Sequence, residues 1–502
     1  MSSGTSAEGR GKGKKPVKPM ENAIESRLNY IRSGGRGVNE AGMPASGNLA
    51  GPSIMQRSPQ KGNDAPEREP SAGTPTDAAE GGNGGTALVT PENRPRTAAE
   101  LGMRQSIVED LALKTLYMGG TMSTRELARQ MRLSVNVADE LVNRMRTSQL
   151  CQVTGMTANL ATVQLTDQGR KRGVELMALS QYVGPAPVSL ESYVVQTKKQ
   201  SVRNMVVRKA DVERAFGDLV IDPKVLGQIG TGLNSGASIF VHGPAGVGKT
   251  AIAETMSRVL AEDDVWIPYA VEVDGQMIIV YDPMIHKRVE SPEFDNCDER
   301  WVRCQRPSVL VGGELTIDML DLQFNATTKF YAGPVQMKAN NGVLIMDDFG
   351  RQRVRPEDLL NRWVVPLDRG IDFLTMAGGR KIEIPFEMLV VFSTNLDPAD
   401  LVDAAFLRRM QTKIRVDTAT DDQFRQIFRR VAARRTLMVD ESALTDLILA
   451  IRQGLQQELR ACQPRDLINQ VCWAAQYEDR RPILDRGSLF GAMEAYFLTP
   501  KA

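Results

Sequence analysis

Hydrophobic periodicity divides the chain into three kinds of segment. Leu101, Ile107, Val108, Leu111, Leu113 and Leu116 recur at helical intervals, and Gly119-Gly120 ends that run. Ser123 stands where a cap is needed for a helix from Thr124 to Met131, with Leu127 and Met131 inward. Val135 to Met145 predicts a third helix that buries Leu141, Val142 and Met145. Two alternating segments follow, Cys151-Gln152-Val153 and Ala161 to Leu165, joined through Gly155 and Asn159 as a hairpin. From about residue 205 to 418 short apolar runs alternate with helical stretches, and beyond 418 the pattern is helical throughout. Thr420 and Gln423 make a capping box ahead of Phe424, Ile427, Phe428 and Val431. Leu444, Leu447, Ile451 and Leu455 mark the next helix, Pro464 opens another, and Ser488 is the expected cap of the last.

The remaining stretches lack periodicity. Residues 1–95 are dominated by Gly, Pro, Ser, Ala and charge, too little apolar surface to offset the entropy of ordering, so a disordered tail is expected. Within it, Ile24 to Ile31 has the spacing of a helix formed on binding. The basic cluster from Arg10 to Lys18 reads either as a solvated tail or as a contact for nucleic acid or anionic lipid. Residues 184–204 read as a polar, Pro-containing connector. This gives an organisation of tail (1–95), small helix-and-hairpin domain (96–183), connector (184–204), α/β core (205–418) and helical C-terminal region (419–502).

Composition narrows the chemistry. The 502 residues carry a net charge of +1, so no global field announces a polyanionic partner. The five cysteines form no CxxC pair and only His242 and His286 are available, which leaves little material for zinc or histidine-triad chemistry. No apolar run reaches 18 residues and none follows the N-terminal basic cluster, so neither a membrane span nor a signal peptide is expected. A cytoplasmic protein with free thiols is the expectation.

The candidate chemistry lies in the α/β region. Ser238 to His242 reads as a short buried strand, and Gly243-Pro244-Ala245-Gly246-Val247-Gly248-Lys249-Thr250 follows at once. Ile252, Met256, Val259 and Leu260 then recur at helical spacing. Strand, glycine loop and helix in that order form the context a phosphate-binding loop requires. The glycines let successive N–H groups converge on one anion, and the helix start adds its partial positive charge. Lys249 is suited to the β- and γ-phosphates of ATP, and the Thr250 hydroxyl to Mg²⁺. Gly342 to Asp348 reads as a buried strand ending in two acids, with Asp347 placed to hold the metal and Asp348 to orient or deprotonate a water. A further strand, Leu389 to Thr394, delivers Asn395, either to a lytic water or simply into the turn Asn395 to Pro398.

This order of parts resembles the AAA+ ATPases over about 300 residues, from Met205 onward. Gly243 to Thr250 corresponds to Walker A, Val343 to Asp348 to Walker B, and Asn395 to sensor 1. Ala404 to Arg409 resembles the arginine-finger helix, and Pro464-Arg465-Asp466-Leu467 resembles sensor 2. The resemblance implies a P-loop NTPase fold, a parallel sheet sandwiched by helices with a C-terminal helical lid. It implies that Arg408 and Arg409 reach the nucleotide of a neighbouring subunit, that Arg465 acts in cis, and that the chain forms a ring, a hexamer being favoured. Gly333-Pro334-Val335 and Ala339-Asn340 resemble the MoxR-type subgroup. The spacing of Lys249 and Asp347 leaves room for an insertion, and Val271-Glu272-Val273 and Met277 to Tyr281 around Asp274-Gly275 predict a hairpin within it. The N-terminal helices and hairpin resemble a winged helix-turn-helix domain. Its third helix offers Arg144 and Arg146 but also Asp139 and Glu140, which favours protein docking over DNA reading. Asp348 stands where the family has Glu, so slow hydrolysis is an expectation. The functional reading is an ATP-driven machine that remodels or assembles protein clients, with a DNA-associated ATPase or a slow nucleotide-gated switch as alternatives.

Overall fold

The structure is a computed structural model that describes residues 91–157, 160–261, 263–290, 297–401 and 407–497, all within one unit running from Thr86 to Ala502. The expected tail up to residue 90, with Arg10 to Lys18 and Ile24 to Ile31, lies outside the described residues, as do Ala404 to Phe406.

The N-terminal elements form where local signals place them. The helix Gln105–Gly119 ends at Gly120, whose φ of 73° lets its N–H turn back to the Leu116 carbonyl. Ser123 and Glu126 close a reciprocal capping box on Thr124–Met131, and the Ser134 hydroxyl caps Val135–Thr147. Strands Cys151–Thr157 and Leu160–Leu165 pair antiparallel, and Met122–Ser123 adds a third strand to the free edge of the second.

Residues 184–204, expected as a connector, contain regular secondary structure. Val188–Ser189 is a strand, and Leu190–Lys199 is a helix capped by the Ser189 hydroxyl. Some of the segment's polar groups bond to other parts of the chain. Gln200 donates to the Trp266 carbonyl (2.7 Å), and Asn341 donates to the Thr197 carbonyl (2.7 Å).

The central sheet has five parallel strands, β1 (Ser238–His242), β2 (Ser308–Val311), β3 (Val343–Met346), β4 (Leu389–Thr394) and β5 (Thr412–Arg415), in the order β2-β3-β4-β1-β5. In register, Ile239 opposes Val391 and Val391 opposes Ile345. Both faces are covered. Ile239, Val241, Ile345 and Val391 pack with Ile252 and Met256 of the helix Lys249–Leu260 on one side. Phe240, Leu344, Met346 and Phe392 pack with Trp363 of the helix Pro356–Arg369 on the other. Burial on two faces is why these strands read as continuous apolar runs.

A second five-stranded sheet stands beside this core. Its order is Gln323–Asn325, Phe330–Ala332, Gln276–Ile279, Ala270–Val273, Val188–Ser189. The expected hairpin is at its centre, turning through Asp274 (φ 49°) and Gly275 (φ 82°), the conformation an Asp-Gly two-residue turn supplies. The N-terminal helices share a core with it, since Leu101, Leu127 and Met131 cluster with Ala270 and Met277. Arg300 ties the junction. Its guanidinium pairs with Asp298 (2.8 Å) and donates to the carbonyls of Leu101 (3.1 Å) and Pro187 (3.0 Å).

The C-terminal region is helical: Asp421–Arg434, Glu441–Leu449 running into a wider turn at Ala450–Gly454, Gln463–Tyr477 and Arg486–Tyr496. The Thr420–Gln423 capping box is present. The last helix is capped differently from the expectation: Asp485 is the cap, and Ser488 donates its backbone N–H to that carboxylate (2.8 Å).

Candidate nucleotide site

Parallel strands put their carboxyl ends on one edge, and Gly243, Asp347, Asn395 and Val416 all follow strands of the central sheet there. The glycine loop leaves β1 at this edge. Gly243 adopts φ 147°, and a Cβ on it would lie 2.0 Å from the Val416 carbonyl oxygen, so the crossing of loop and β5 end admits no side chain. Gly246 (φ 80°) and Gly248 (φ 97°) lie in the left-handed region, and Gly248 opens the helix Lys249–Leu260. Val247 is buried in the core against this helix, which anchors the loop from within.

The loop and the acidic strand tip meet directly. The Thr250 hydroxyl donates to Asp347 Oδ2 at 2.7 Å across 97 positions of sequence. Lys249 folds back along the loop, donating to the carbonyls of Gly243 (3.0 Å) and Pro244 (2.8 Å). Burial lowers its pKa, opposed by the charges of Asp348 and Asp347. A cavity of about 490 Å³ opens here, walled by the loop from Ala245, by Asp347 and Asp348, by Asn395 and by Arg465. The Asn395 side-chain oxygen is buried without a partner among the described residues, an acceptor facing a polar site.

The predicted residues divide into two groups. Gly243 to Thr250, Asp347, Asp348, Asn395 and Arg465 come together at this edge. Arg465 is exposed and paired with Asp466 (2.9 Å), on the wall contributed by the C-terminal helices. Arg408 is exposed and Arg409 pairs with Asp368 (2.9 Å), and neither wall of the cavity includes them.

Motif reading missed the apolar end of the cavity. Val220 and Ile221, before the helix Pro223–Ser235, face Ile427 and Val431 of Asp421–Arg434. Ile427 and Val431 were legible only as the inward stripe of an amphipathic helix. Arg430 on that helix donates to the carbonyls of Gly217 (2.8 Å) and Leu219 (3.1 Å), and Arg434 pairs with Asp218 (3.2 Å). The Cys462 N–H donates to the Gly246 carbonyl (3.0 Å), so the C-terminal region touches the loop itself.

The donor set suits Mg²⁺. Among the described residues no three His, Cys, Asp or Glu side chains gather in a metal-binding group. Thr250 and Asp347 offer hard oxygens from one hydroxyl and one carboxylate, the sparse protein share that magnesium takes when phosphates and water complete its shell. The positive-φ glycines, the N–H groups at the helix start and a cationic side chain lie beside them, an arrangement suited to an anion. Glycine loop, acidic strand tip and two-sided parallel sheet together define an α/β fold of the P-loop NTPase class.

A family model described as a domain of unknown function, DUF8689, matches residues 420–495, the C-terminal helices. No curated protein matches the chain. Among solved structures the chain is similar to NtrX from Brucella abortus in complex with ADP, at 13% identity and a TM-score of 0.35, over 58% of this chain and 59% of that one. It is similar to a second NtrX structure from the same organism at 12% identity and a TM-score of 0.34, over 73% and 64%. It is also similar to the RuvB Holliday junction branch migration motor of Thermotoga maritima, at 15% identity and a TM-score of 0.33, over 55% and 70%. The chain thus spans about three fifths of the length of the first of these.

Proposed function

We propose that this protein binds ATP with Mg²⁺ between the glycine loop and the β3 tip and hydrolyses it, as an AAA+ ATPase of the MoxR type. The observation that carries the reading is the 2.7 Å contact of Thr250 with Asp347, which joins the two halves of a metal–triphosphate site. In this reading the loop N–H groups and Lys249 grip the phosphates, Val220, Ile221, Ile427 and Val431 enclose the base, and Thr250 and Asp347 hold the metal. The metal supplies neutralisation of phosphate charge. Asp348 orients or deprotonates the attacking water, and Asn395, with its unpaired oxygen, helps hold that water. Arg465 reports the nucleotide state to the lid. Arg408 and Arg409 act on a neighbouring subunit's nucleotide in a ring, a hexamer being favoured, and the work done is the remodelling of a protein client.

The N-terminal domain, read as winged-helix-like, is proposed to dock that client. Two contacts favour protein over DNA. The Arg144 guanidinium is engaged by Glu109 and by Gln105 (2.6 Å), and Glu140 accepts the Ala98 N–H (2.7 Å), so these two side chains of the third helix are turned to the chain itself rather than to base edges.

Two substitutions test the site. Lys249→Ala should abolish binding of ATP measured by titration calorimetry. Asp348→Asn should keep ATP affinity within a few fold and lose turnover by at least about 100-fold, the scale of a general-base contribution. Turnover of Asp348→Asn equal to the wild type would remove Asp348 from its role. Stimulation by DNA that fades with added salt would favour the nucleic-acid reading.

A further inference from the structure

The two acids sit on a turn of unusual backbone shape, and its polar groups are nearly all occupied. Asp348 has φ 49°, a left-handed conformation that costs a non-glycine residue about 1 kcal/mol or more and persists only where surroundings hold it. Neighbouring strands fix part of the turn. Asp347 N–H donates to the Val311 carbonyl (2.9 Å) and Phe349 N–H to the Ser393 carbonyl (2.7 Å). The Thr394 hydroxyl donates to the Phe349 carbonyl (2.7 Å), one position before Asn395. The two ends of the turn, the Asp347 carbonyl and the Gly350 N–H, are taken by a single side chain. Gln352 donates from Nε2 to the Asp347 carbonyl (2.9 Å) and accepts the Gly350 N–H on Oε1 (2.8 Å).

We infer that Gln352 is a positioning residue for hydrolysis, clamping the Asp347–Gly350 turn so that the Asp348 carboxylate is held over the nucleotide cavity. The inference rests on Asp348 acting on the attacking water. Two features make the clamp matter. Aspartate is one methylene shorter than glutamate, so its reach is set by the main chain rather than by side-chain rotation. The clamp also needs a donor and an acceptor on one neutral planar group, which an amide supplies and an ionised carboxylate does not. Gln352 itself is outside the walls of the cavity, so its effect passes through the turn.

The test compares steady-state turnover of MgATP with equilibrium binding of ATP in wild type, Gln352→Ala and Gln352→Glu, with thermal melting alongside. Gln352→Ala should lose about 10- to 100-fold in kcat, the scale of an ångström-level misplacement of a catalytic group, while ATP affinity stays within about threefold. Gln352→Glu should show the same loss at neutral pH. A Gln352→Ala chain with wild-type kcat overturns the inference, as does a Gln352→Glu chain with wild-type kcat at neutral pH. If ATP affinity and melting temperature fall together with kcat, Gln352 is a structural residue only. A wild-type chain that binds ATP without turning it over refutes the hydrolytic reading first, and the clamp with it.

Discussion

At the scale of single residues, protonation is decided by burial. His286 is buried beside Tyr281, accepting the Asp282 N–H on Nδ1 (2.9 Å) and facing the Lys338 carbonyl with Nε2 (2.8 Å). Those partners require the neutral Nε2–H tautomer, because a second ring proton would oppose the Asp282 N–H. Burial lowers its pKa below the ordinary imidazole value, with Asp282 and the Lys338 carbonyl opposing. The unfolded chain therefore takes up the proton first on acidification. The stabilisation is fully present above about pH 6.5 and declines as pH falls below it. Urea midpoints measured from pH 7.5 to 5.5 should fall in the wild type, and the slope should be shallower in His286→Gln. The same scale shows the reach of local sequence. Ser123 and Thr420 cap as expected because a capping box spans only four consecutive positions. At the last helix, Asp485 takes the place expected of Ser488, since both fit the spacing and only the observed chain path separates them.

Between elements, a few buried polar contacts hold what hydrophobic packing alone leaves free to slide. Arg300 and Asp298, with side-chain exposures of 0% and 2%, sit where the N-terminal helices, the segment before Val188 and the inserted strands converge. Removing one partner strands the other charge in a low-dielectric site. Asp298→Ala should lower stability by about 3–5 kcal/mol in a denaturant titration, whereas replacing a surface pair such as Lys199 and Glu92 should shift it by less than about 1 kcal/mol. The contrast also explains why residues 184–204 read as a linker. Composition distinguishes polar from apolar, but not a polar group bonded to protein from one bonded to water.

For the whole molecule, the question is what completes the site. The cavity draws on the glycine loop, β3, β4 and the C-terminal helices, yet Arg408 and Arg409 stand outside its walls. If they serve a neighbour's nucleotide, defects in the two halves should complement. Mixed assemblies of Arg408→Ala/Arg409→Ala chains with Lys249→Ala chains should regain part of the ATPase rate that each lacks alone. No recovery at any mixing ratio would assign both arginines to surface pairing, as the Arg409–Asp368 contact already does for one of them within the chain.

The sequence by itself determined the short-range chemistry: the glycine loop with Lys249 and Thr250, the apolar run ending in Asp347, the Asp274-Gly275 hairpin and the Ser123 and Thr420 caps. Each is written within a few consecutive residues, through allowed φ values, strand burial or a side chain's reach to its own backbone. Tertiary structure alone decided which distant pieces share a boundary. The apolar cavity walls of Val220–Ile221 and Ile427–Val431 and the grip of Arg430 on Gly217 and Leu219 follow no spacing rule. They arise where separately specified elements pack, and packing is a property of surfaces meeting in space rather than of neighbours along the chain.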